Sequence, residues 1–452
     1  MKKLFKSSIA VLLLLTLLSG LSVSMAATTE KKHLDYKSYV LLGDSVASGW
    51  SDIEHRNSTF NRVEGSYGAL LADDLGVDVY HPMACIGFRT NDLRYIFEDD
   101  YDYESDRFLF YSISKEEVDS RIPGIRKAVS EADLITLNVG GNDWGSYVGW
   151  HVIEQMELLV ADNEEFFTKA REILEKNGTA SDTVDSLIDI ASLAGCLPEV
   201  IKAIPVAIKE GFNSFFSNWT ILVEDIRALN PDAILVAIGM FDNSLEDETM
   251  SAKTIDESAD SFDLEAAKAK LSIGQMIVDY ANKPMRDNAE KYGYIFINPV
   301  GTLCEKQHPS YAGHRHIADL ILEALPSADF PYTDVALSSN EYKAIEYMWS
   351  NDIMDGASAT EFAPDEALTK AVLSKAMAKI NNTESSSEDS SKATRTDVIK
   401  AVMNSDSDAS FIKKLKTFAF AIKLFINSGK FNISADVTRA EAANILYDYI
   451  KL

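Results

Sequence analysis

Three features of the sequence predict an α/β fold built on a parallel sheet. Five short apolar runs of strand length recur between Ser38 and Val300. Stretches of helical spacing separate them, so successive strands are joined by crossovers. The glycine-bearing polar phrases lie just past the C-terminal ends of the runs, the edge at which open α/β sheets bind ligands.

The first strand spans about Ser38–Leu42 and breaks into Gly43-Asp44-Ser45 and a small-residue turn. Tyr67, Leu70, Leu71 and Leu75 follow with helical spacing, closed by Gly76 as a C-cap. Val77–Tyr80 is a second strand, leading into a segment that contains Cys85 and Gly87. Asp133–Val139 is a third, running into Gly140-Gly141-Asn142-Asp143-Trp144. Ala233–Gly239 and Tyr294–Val300 are the fourth and fifth, the last followed by Glu305-Lys306-Gln307-His308-Pro309-Ser310. The gap between Asp143 and the fourth strand is far longer than the roughly 30 residues of a simple crossover unit. Its extra length, 152–213, reads as three or four amphipathic helical stretches, placed to serve as a lid or wall of a site or as a plain insert.

Lys2, Lys3 and Lys6 precede an apolar core, and Ser24-Met25-Ala26 offers small residues for cleavage. Residues 1–26 are therefore expected to be a secretory signal peptide. No later stretch is long and apolar enough to span a bilayer as a helix. The net charge of −27 becomes about −30 without the leader lysines. Such acidity argues against non-specific binding to nucleic acid. Of the three cysteines, Cys85 and Cys304 lie near chemical phrases, which favours a Cys85–Cys304 disulfide; three buried thiols including Cys196 are the alternative.

The phrases at the strand ends supply the parts that ester hydrolysis needs. A serine hydroxyl is a weak nucleophile near neutral pH and must pass its proton to a base, for which histidine is suited. Ser45 is the candidate nucleophile and His308 the candidate base. Glu305, three residues before His308, is placed to orient the ring and stabilise the imidazolium. The tetrahedral intermediate needs donors, and the backbone N–H of Ser45, the backbone N–H of Gly87 and the Asn142 amide are the candidates. Asp44 is expected to fix the turn, and Asp143 to support Asn142. His308, His314 and His316 have no acidic or cysteine ligand pattern around them, so no metal and no cofactor is expected. Trp50 and Trp144 flank the phrases, either as subsite walls or as core.

Gly-Asp-Ser-Val-Ala-Ser-Gly from Gly43, Leu-x-Val-Gly-Gly-Asn-Asp from Leu137 and His-Pro-Ser-x-x-Gly-His from His308 resemble the GDSL-type, or SGNH, hydrolases, above all their secreted bacterial lipase/esterase branch. That family's four signature residues fall on Ser45, Gly87, Asn142 and His308. The resemblance covers about 37–325 and implies a three-layer, flavodoxin-like five-stranded sheet of order 2-1-3-4-5 and a serine esterase mechanism. One departure stands out: the family usually carries Asp three residues before the His, where this chain has Glu305. Some relatives orient the His with a backbone carbonyl instead.

From about Ser327 the character changes. Three phrases recur, Leu368-Thr369-Lys370-Ala371, Thr394-Arg395-Thr396-Asp397 and Thr438-Arg439-Ala440-Glu441, each ahead of an apolar helical run. With Phe330-Pro331 onward, this region resembles S-layer homology repeats: one good copy, one clipped and one partial. The resemblance implies binding to secondary cell-wall polysaccharide, carried by Arg395 and Arg439, and retention on a Gram-positive-type surface. The expected domains are thus 1–26 signal peptide, 27–327 hydrolase with the insert at 152–213, and 328–452 wall-binding region. The expected partners are an acyl-lipid or O-acetylated-glycan ester and the wall polysaccharide. The alternative is a non-catalytic surface protein that binds glycan or lipid.

Overall fold

The computed structural model describes residues 32–102, 113–145, 197–243, 278–337, 339, 341–384, 388–405, 418, 421–422 and 432–451, without the side chains of 197–205. The leader and the 152–196 part of the expected insert lie outside the described residues; 197–213 form the start of one long helix.

The sheet has five parallel strands: β1 (Ser38–Gly43), β2 (Val79–Ala84), β3 (Leu134–Asn138), β4 (Ile234–Ile238) and β5 (Ile295–Ile297), in the order β2-β1-β3-β4-β5. Side chains alternate across its two faces. Val40, Leu42, Ile135, Leu137, Leu235 and Ala237 pack on one face, under α3 (Thr90–Phe97), α4 (Lys115–Ser130), α5 (Leu197–Leu229) and α6 (Lys283–Tyr292). Tyr39, Leu41, Leu134, Val236, Ile238 and Ile297 pack on the other, under α2 (Tyr67–Leu75) and α7 (Tyr311–Ala324). Burial on both faces is what turns these strands into near-continuous apolar runs.

β2 begins and ends later than its hydropathy suggests, because His81-Pro82-Met83-Ala84 continues the strand. Proline has no N–H to give to a ladder and is tolerated on an edge strand. β2 is an edge strand here, with Pro82 opposite Leu41.

The C-terminal region folds around its own apolar cluster. It includes α8 (Tyr342–Ser350), α9 (Lys370–Ile380), α10 (Arg395–Met403) and α11 (Arg439–Lys451). The three recurring phrases are the starts of α9, α10 and α11, with Thr369, Thr394 and Thr438 at their N-caps. In the last two, Asp397 and Glu441 return a carboxylate to the N-cap N–H, closing a capping box. The three starts meet in a ring. Leu368 N donates to Val437 O (2.9 Å), Val437 N to Ala393 O (3.0 Å) and Ala393 N to Leu368 O (2.8 Å). A second trio repeats the arrangement: Lys370 N to Ser391 O, Arg395 N to Ala435 O and Arg439 N to Glu366 O, at 2.9–3.0 Å. The three phrases are therefore related by a pseudo-threefold, with Leu368, Ala393 and Val437 fully buried at its centre.

This region is joined to the sheet domain by polar contacts. Glu346 on α8 accepts from Ser327 N (2.7 Å), and Glu323 on α7 faces Lys343 (3.2 Å) and Lys451 (3.6 Å).

Leu368→Ala should lower the stability of the C-terminal unit by about 2–5 kcal/mol, because it empties the buried centre of the ring. Thermal unfolding followed by circular dichroism should show a lowered C-terminal transition. An unchanged melt would mean that the ring is not what holds the three helix starts together.

Candidate active site

β1 lies between β2 and β3, so their C-terminal ends are neighbours. Gly43 pairs with Ala84 on one side and Asn138 on the other. Its φ is +145°, and a Cβ there would lie 2.1 Å from the Asn138 carbonyl oxygen. Only glycine lets the chain turn so tightly against β3. The next residues form a one-turn helix, α1 (Ser45–Ser48). Asp44 is its N-cap, and its Oδ1 accepts from Val46 N at 2.9 Å. Burial pushes the Asp44 carboxyl up to about 6, against the backbone N–H groups and the charge of His308. Gly49, at φ +76°, ends the turn in a left-handed C-cap and sends the chain back toward Ser45.

His308 arrives from the other end of the chain, on the loop between β5 and α7. Its Nε2 stands 2.8 Å from Ser45 Oγ, and its Nδ1 stands 2.8 Å from Asp52 Oδ1. Asp52 also accepts from Gln307 N and His308 N, both at 2.9 Å on Oδ2. Burial alone would raise the Asp52 carboxyl, but the hydrogen bond and charge of His308 and these two N–H groups outweigh it and hold it at about 2. Asp52 is thus an acceptor-only carboxylate, which assigns the proton of a neutral ring to Nδ1 and leaves Nε2 to accept from the Ser45 hydroxyl. The side chains of His308 and Asp52 are 14% and 6% exposed, so the group is largely shielded from water but still reachable.

The other phrases close around it. Gly87, at φ +80°, follows β2. Asn142 stands in a helical turn after β3, and its Nδ2 donates to Phe88 O at 3.1 Å. Asp143 is buried; its carboxylate accepts from the Thr90 hydroxyl and, at 3.2 Å, from Thr90 N. It therefore fastens the Asn142 turn to the start of α3. Burial raises Asp143 to about 7, against the bonds from Thr90 and the charge of Arg89. Phe212 on α5 lies 6.5 Å from Trp144, and a Cβ on Gly211 would meet the Trp144 Cα at 2.4 Å, so α5 rests directly on this turn. Ser45, Gly87 and Asn142 thus stand at three adjacent strand ends.

The family model of the GDSL-like Lipase/Acylhydrolase family matches residues 41–316, more than half of the chain. The protein belongs to this family. Residues 331–371 match the S-layer homology domain, which indicates attachment at the cell surface. Solved structures similar to the chain include the extracellular lipase of Streptomyces rimosus, with 18% identity and a TM-score of 0.34 over 63% of this chain and 98% of that one. Phospholipase A1 of Streptomyces albidoflavus NA297 has 16% identity and a TM-score of 0.34 over 64% and 98%. A family two carbohydrate esterase of Clostridium thermocellum, solved with cellohexaose, has 12% and 0.30 over 65% and 64%. No curated protein matches the chain.

Within this GDSL-like chain, several sequence expectations need correcting. Glu305 does not orient His308, since both ring nitrogens are engaged by Ser45 and Asp52. Its Oε1 instead accepts from Asp52 N at 2.7 Å. Spacing placed an acid near the histidine in sequence but not on its ring. Asp52 itself was missed because it lies in an aperiodic loop. The available signal was an aspartate just after a glycine-terminated turn that folds back on Ser45. Cys85 and Cys304 are buried thiols, not a disulfide; Cys85 belongs to the core under α3 and Cys304 to the histidine loop. Cys196 lies outside the described residues.

The tail arginines are also not presented to a ligand. Arg395 is buried and pairs with the Glu441 carboxylate through Nε (3.2 Å) and a terminal nitrogen. Arg439 is buried over the Phe362 ring, 4.7 Å from its centroid, and donates to the Phe362 and Asp355 carbonyls. Both guanidinium groups are N1 residues of inward-facing helix starts, so they brace the repeats. His314 is buried, accepts from Tyr67 N at 3.3 Å, and is held at about 3 by burial and the charges of His308 and Arg56. It is a neutral packing residue. Among the described residues no cluster of His, Cys, Asp or Glu could hold a metal, and no helix is long and apolar enough to cross a membrane.

Asp143 carries a pH dependence of stability. Its carboxyl titrates at about 7 in the folded chain against 3.8 as its ordinary value, so between these the folded state binds the extra proton. Stability should therefore fall as pH rises through this window and level off above it. Asp143→Asn can still bond Thr90 and should flatten that fall in melts between about pH 5 and 8. An identical slope in both proteins would contradict a buried, shifted Asp143.

Proposed function

We propose that the protein is a cell-surface serine esterase that hydrolyses carboxylic esters through an acyl-enzyme on Ser45. The observation that carries this reading is the continuous hydrogen-bond chain Ser45–His308–Asp52, with both links at 2.8 Å.

The geometry supports the following course. Ser45 Oγ attacks the ester carbonyl carbon while its proton passes to His308 Nε2. Asp52, ionised throughout the neutral range, holds Nδ1–H and stabilises the imidazolium that forms. The carbonyl oxygen becomes an oxyanion, to be met by the Ser45 and Gly87 backbone N–H groups and the Asn142 amide. The tetrahedral intermediate collapses, the alcohol leaves with the proton from Nε2, and the acyl group stays on Ser45. A water then gives its proton to Nε2 and attacks the acyl carbon, and the second collapse returns the proton to Ser45 and releases the acid.

The substrate class we propose is a carboxylic ester met at the cell surface, an O-acetylated glycan or an acyl lipid. Trp144, Phe212, Phe216 and Tyr280 form a ring cluster next to Asn142, with neighbouring centroids 5.4–6.5 Å apart. Phe212 is buried at its centre, and the exposed Tyr280 with the partly exposed Trp144 and Phe216 offers an aromatic face that suits either an acyl chain or a sugar. A non-catalytic binding role is disfavoured, because binding alone has no use for a serine hydroxyl aligned on a buried His–Asp pair. We further propose that residues after about 327 hold the protein to wall polysaccharide, through surfaces other than the two buried arginines.

On p-nitrophenyl acetate, Ser45→Ala should abolish hydrolysis, and Asn142→Ala should lower kcat by about 10²–10³-fold. Full activity in Ser45→Ala would remove the serine mechanism. A series of acyl esters of rising chain length, run beside acetylated xylan, would separate the two substrate classes. Truncation after residue 327 should release the protein from isolated cell walls in a pull-down; undiminished retention would assign the anchor elsewhere.

A further inference from the structure

Glu305 and Asp52 form a reciprocal clamp between two loops that are far apart in sequence. The Glu305 carboxylate accepts from the backbone N–H of Asp52, and the Asp52 carboxylate accepts from the backbone N–H groups of Gln307 and His308. Glu305 N also closes its own loop on His308 O at 3.0 Å, and Cys304 bridges Pro309 across it. The histidine loop is therefore rigid by its own bonds. The 50–56 loop is held at other points: Trp50 N donates to Ser45 O at 3.0 Å, the Trp50 and His55 rings lie 5.6 Å apart, Ser51 accepts from Ile53, Glu54 and His55, and Arg56 pairs with Glu54 at the rim. Ile53, next to Asp52, is half exposed. The brace on the Asp52 main chain is the Glu305 bond.

We infer that Glu305 is a positioning residue, which fixes the backbone of Asp52 so that the Asp52 carboxylate meets His308 Nδ1. The inference rests on the serine-esterase reading. The family's usual acid position, three residues before the histidine, has here become the support of an acid supplied by the nucleophile's own loop. The longer side chain of Glu reaches the Asp52 main-chain N–H at 2.7 Å. What the position requires is an acceptor oxygen more than a charge, because the carbonyl of an amide also accepts from the Asp52 N–H, though by a weaker bond.

The test compares Glu305→Gln, Glu305→Ala and Asp52→Asn by steady-state kinetics on p-nitrophenyl acetate and by the low-field proton resonance of His308 Nδ1–H. Glu305→Gln should keep kcat within about 3-fold, since the acceptor survives. Glu305→Ala should lower kcat by about 10–100-fold with KM little changed, the signature of a misplaced group needed in the transition state. Asp52→Asn should lower kcat by about 10³–10⁴-fold. The low-field resonance should persist in Glu305→Gln, broaden or vanish in Glu305→Ala and be absent in Asp52→Asn. A Glu305→Gln loss as deep as that of Asp52→Asn would overturn the inference, because Glu305 would then be supplying charge. So would a Glu305→Ala variant with wild-type kcat. Should Glu305→Ala not fold, Glu305→Gln against Asp52→Asn decides the question alone. Labelling of the wild type by a fluorophosphonate separates the two levels. An unlabelled wild type defeats the serine-esterase reading, whereas a labelled one with wild-type Glu305→Ala activity defeats only the positioning role.

Discussion

The carboxylate of Asp52 joins two loops that the sheet alone would leave independent. β1 delivers Ser45 to the sheet edge, and β5 delivers His308 to the same edge three strands away. Neither strand sets the distance between them. Asp52 does so with three accepted bonds, two from the histidine loop's main chain and one from the imidazole. These bonds also explain its acidity, because a carboxylate that accepts several N–H donors is stabilised in its charged form. The same bonds that position the ring therefore keep the acid ionised. Gly49 is the precondition, since its left-handed turn brings the chain back within reach.

The opposite treatment of the neighbouring carboxylates is instructive. At Asp44 and Asp143 burial outweighs the donors that face the carboxylate, and it raises both. Asp44 lies next to Ser45 in sequence, yet it spends its oxygen on the Val46 N–H and shapes the turn. Asp143 lies next to Asn142 and fastens that residue's turn to α3 through Thr90. The residues beside Ser45 and Asn142 are scaffolding, and the carboxylate on the His308 ring comes from a loop.

Much of this was readable from the chain because its chemistry is local. Gly43 ends a strand, Ser45, Gly87, Asn142 and His308 each follow one, and the alternation of strands and helices predicts which edge they share. Asp52 was not readable, because its role depends on a tertiary return and its loop has no periodicity. Glu305 shows the converse: correct spacing with the side chain directed to another partner. β2 was displaced by Pro82, whose tolerance depends on its being at an edge, which composition does not disclose. In the tail, the recurrence of three phrases was visible, but their closure into a hydrogen-bonded ring was not. The arginines of those phrases look like ligand-binding groups in a linear reading. They turn inward because each occupies the first helical position of a start that faces a neighbouring repeat.

The proposed reaction depends on Ser45 acting as a nucleophile activated by His308 and Asp52. It is tested most directly by treating the intact protein with a serine-directed fluorophosphonate and mapping the adduct by peptide mass spectrometry. One adduct per chain is expected, on the peptide containing Ser45, with labelling suppressed by a competing ester. An adduct on a different serine, or none on active protein, would contradict it.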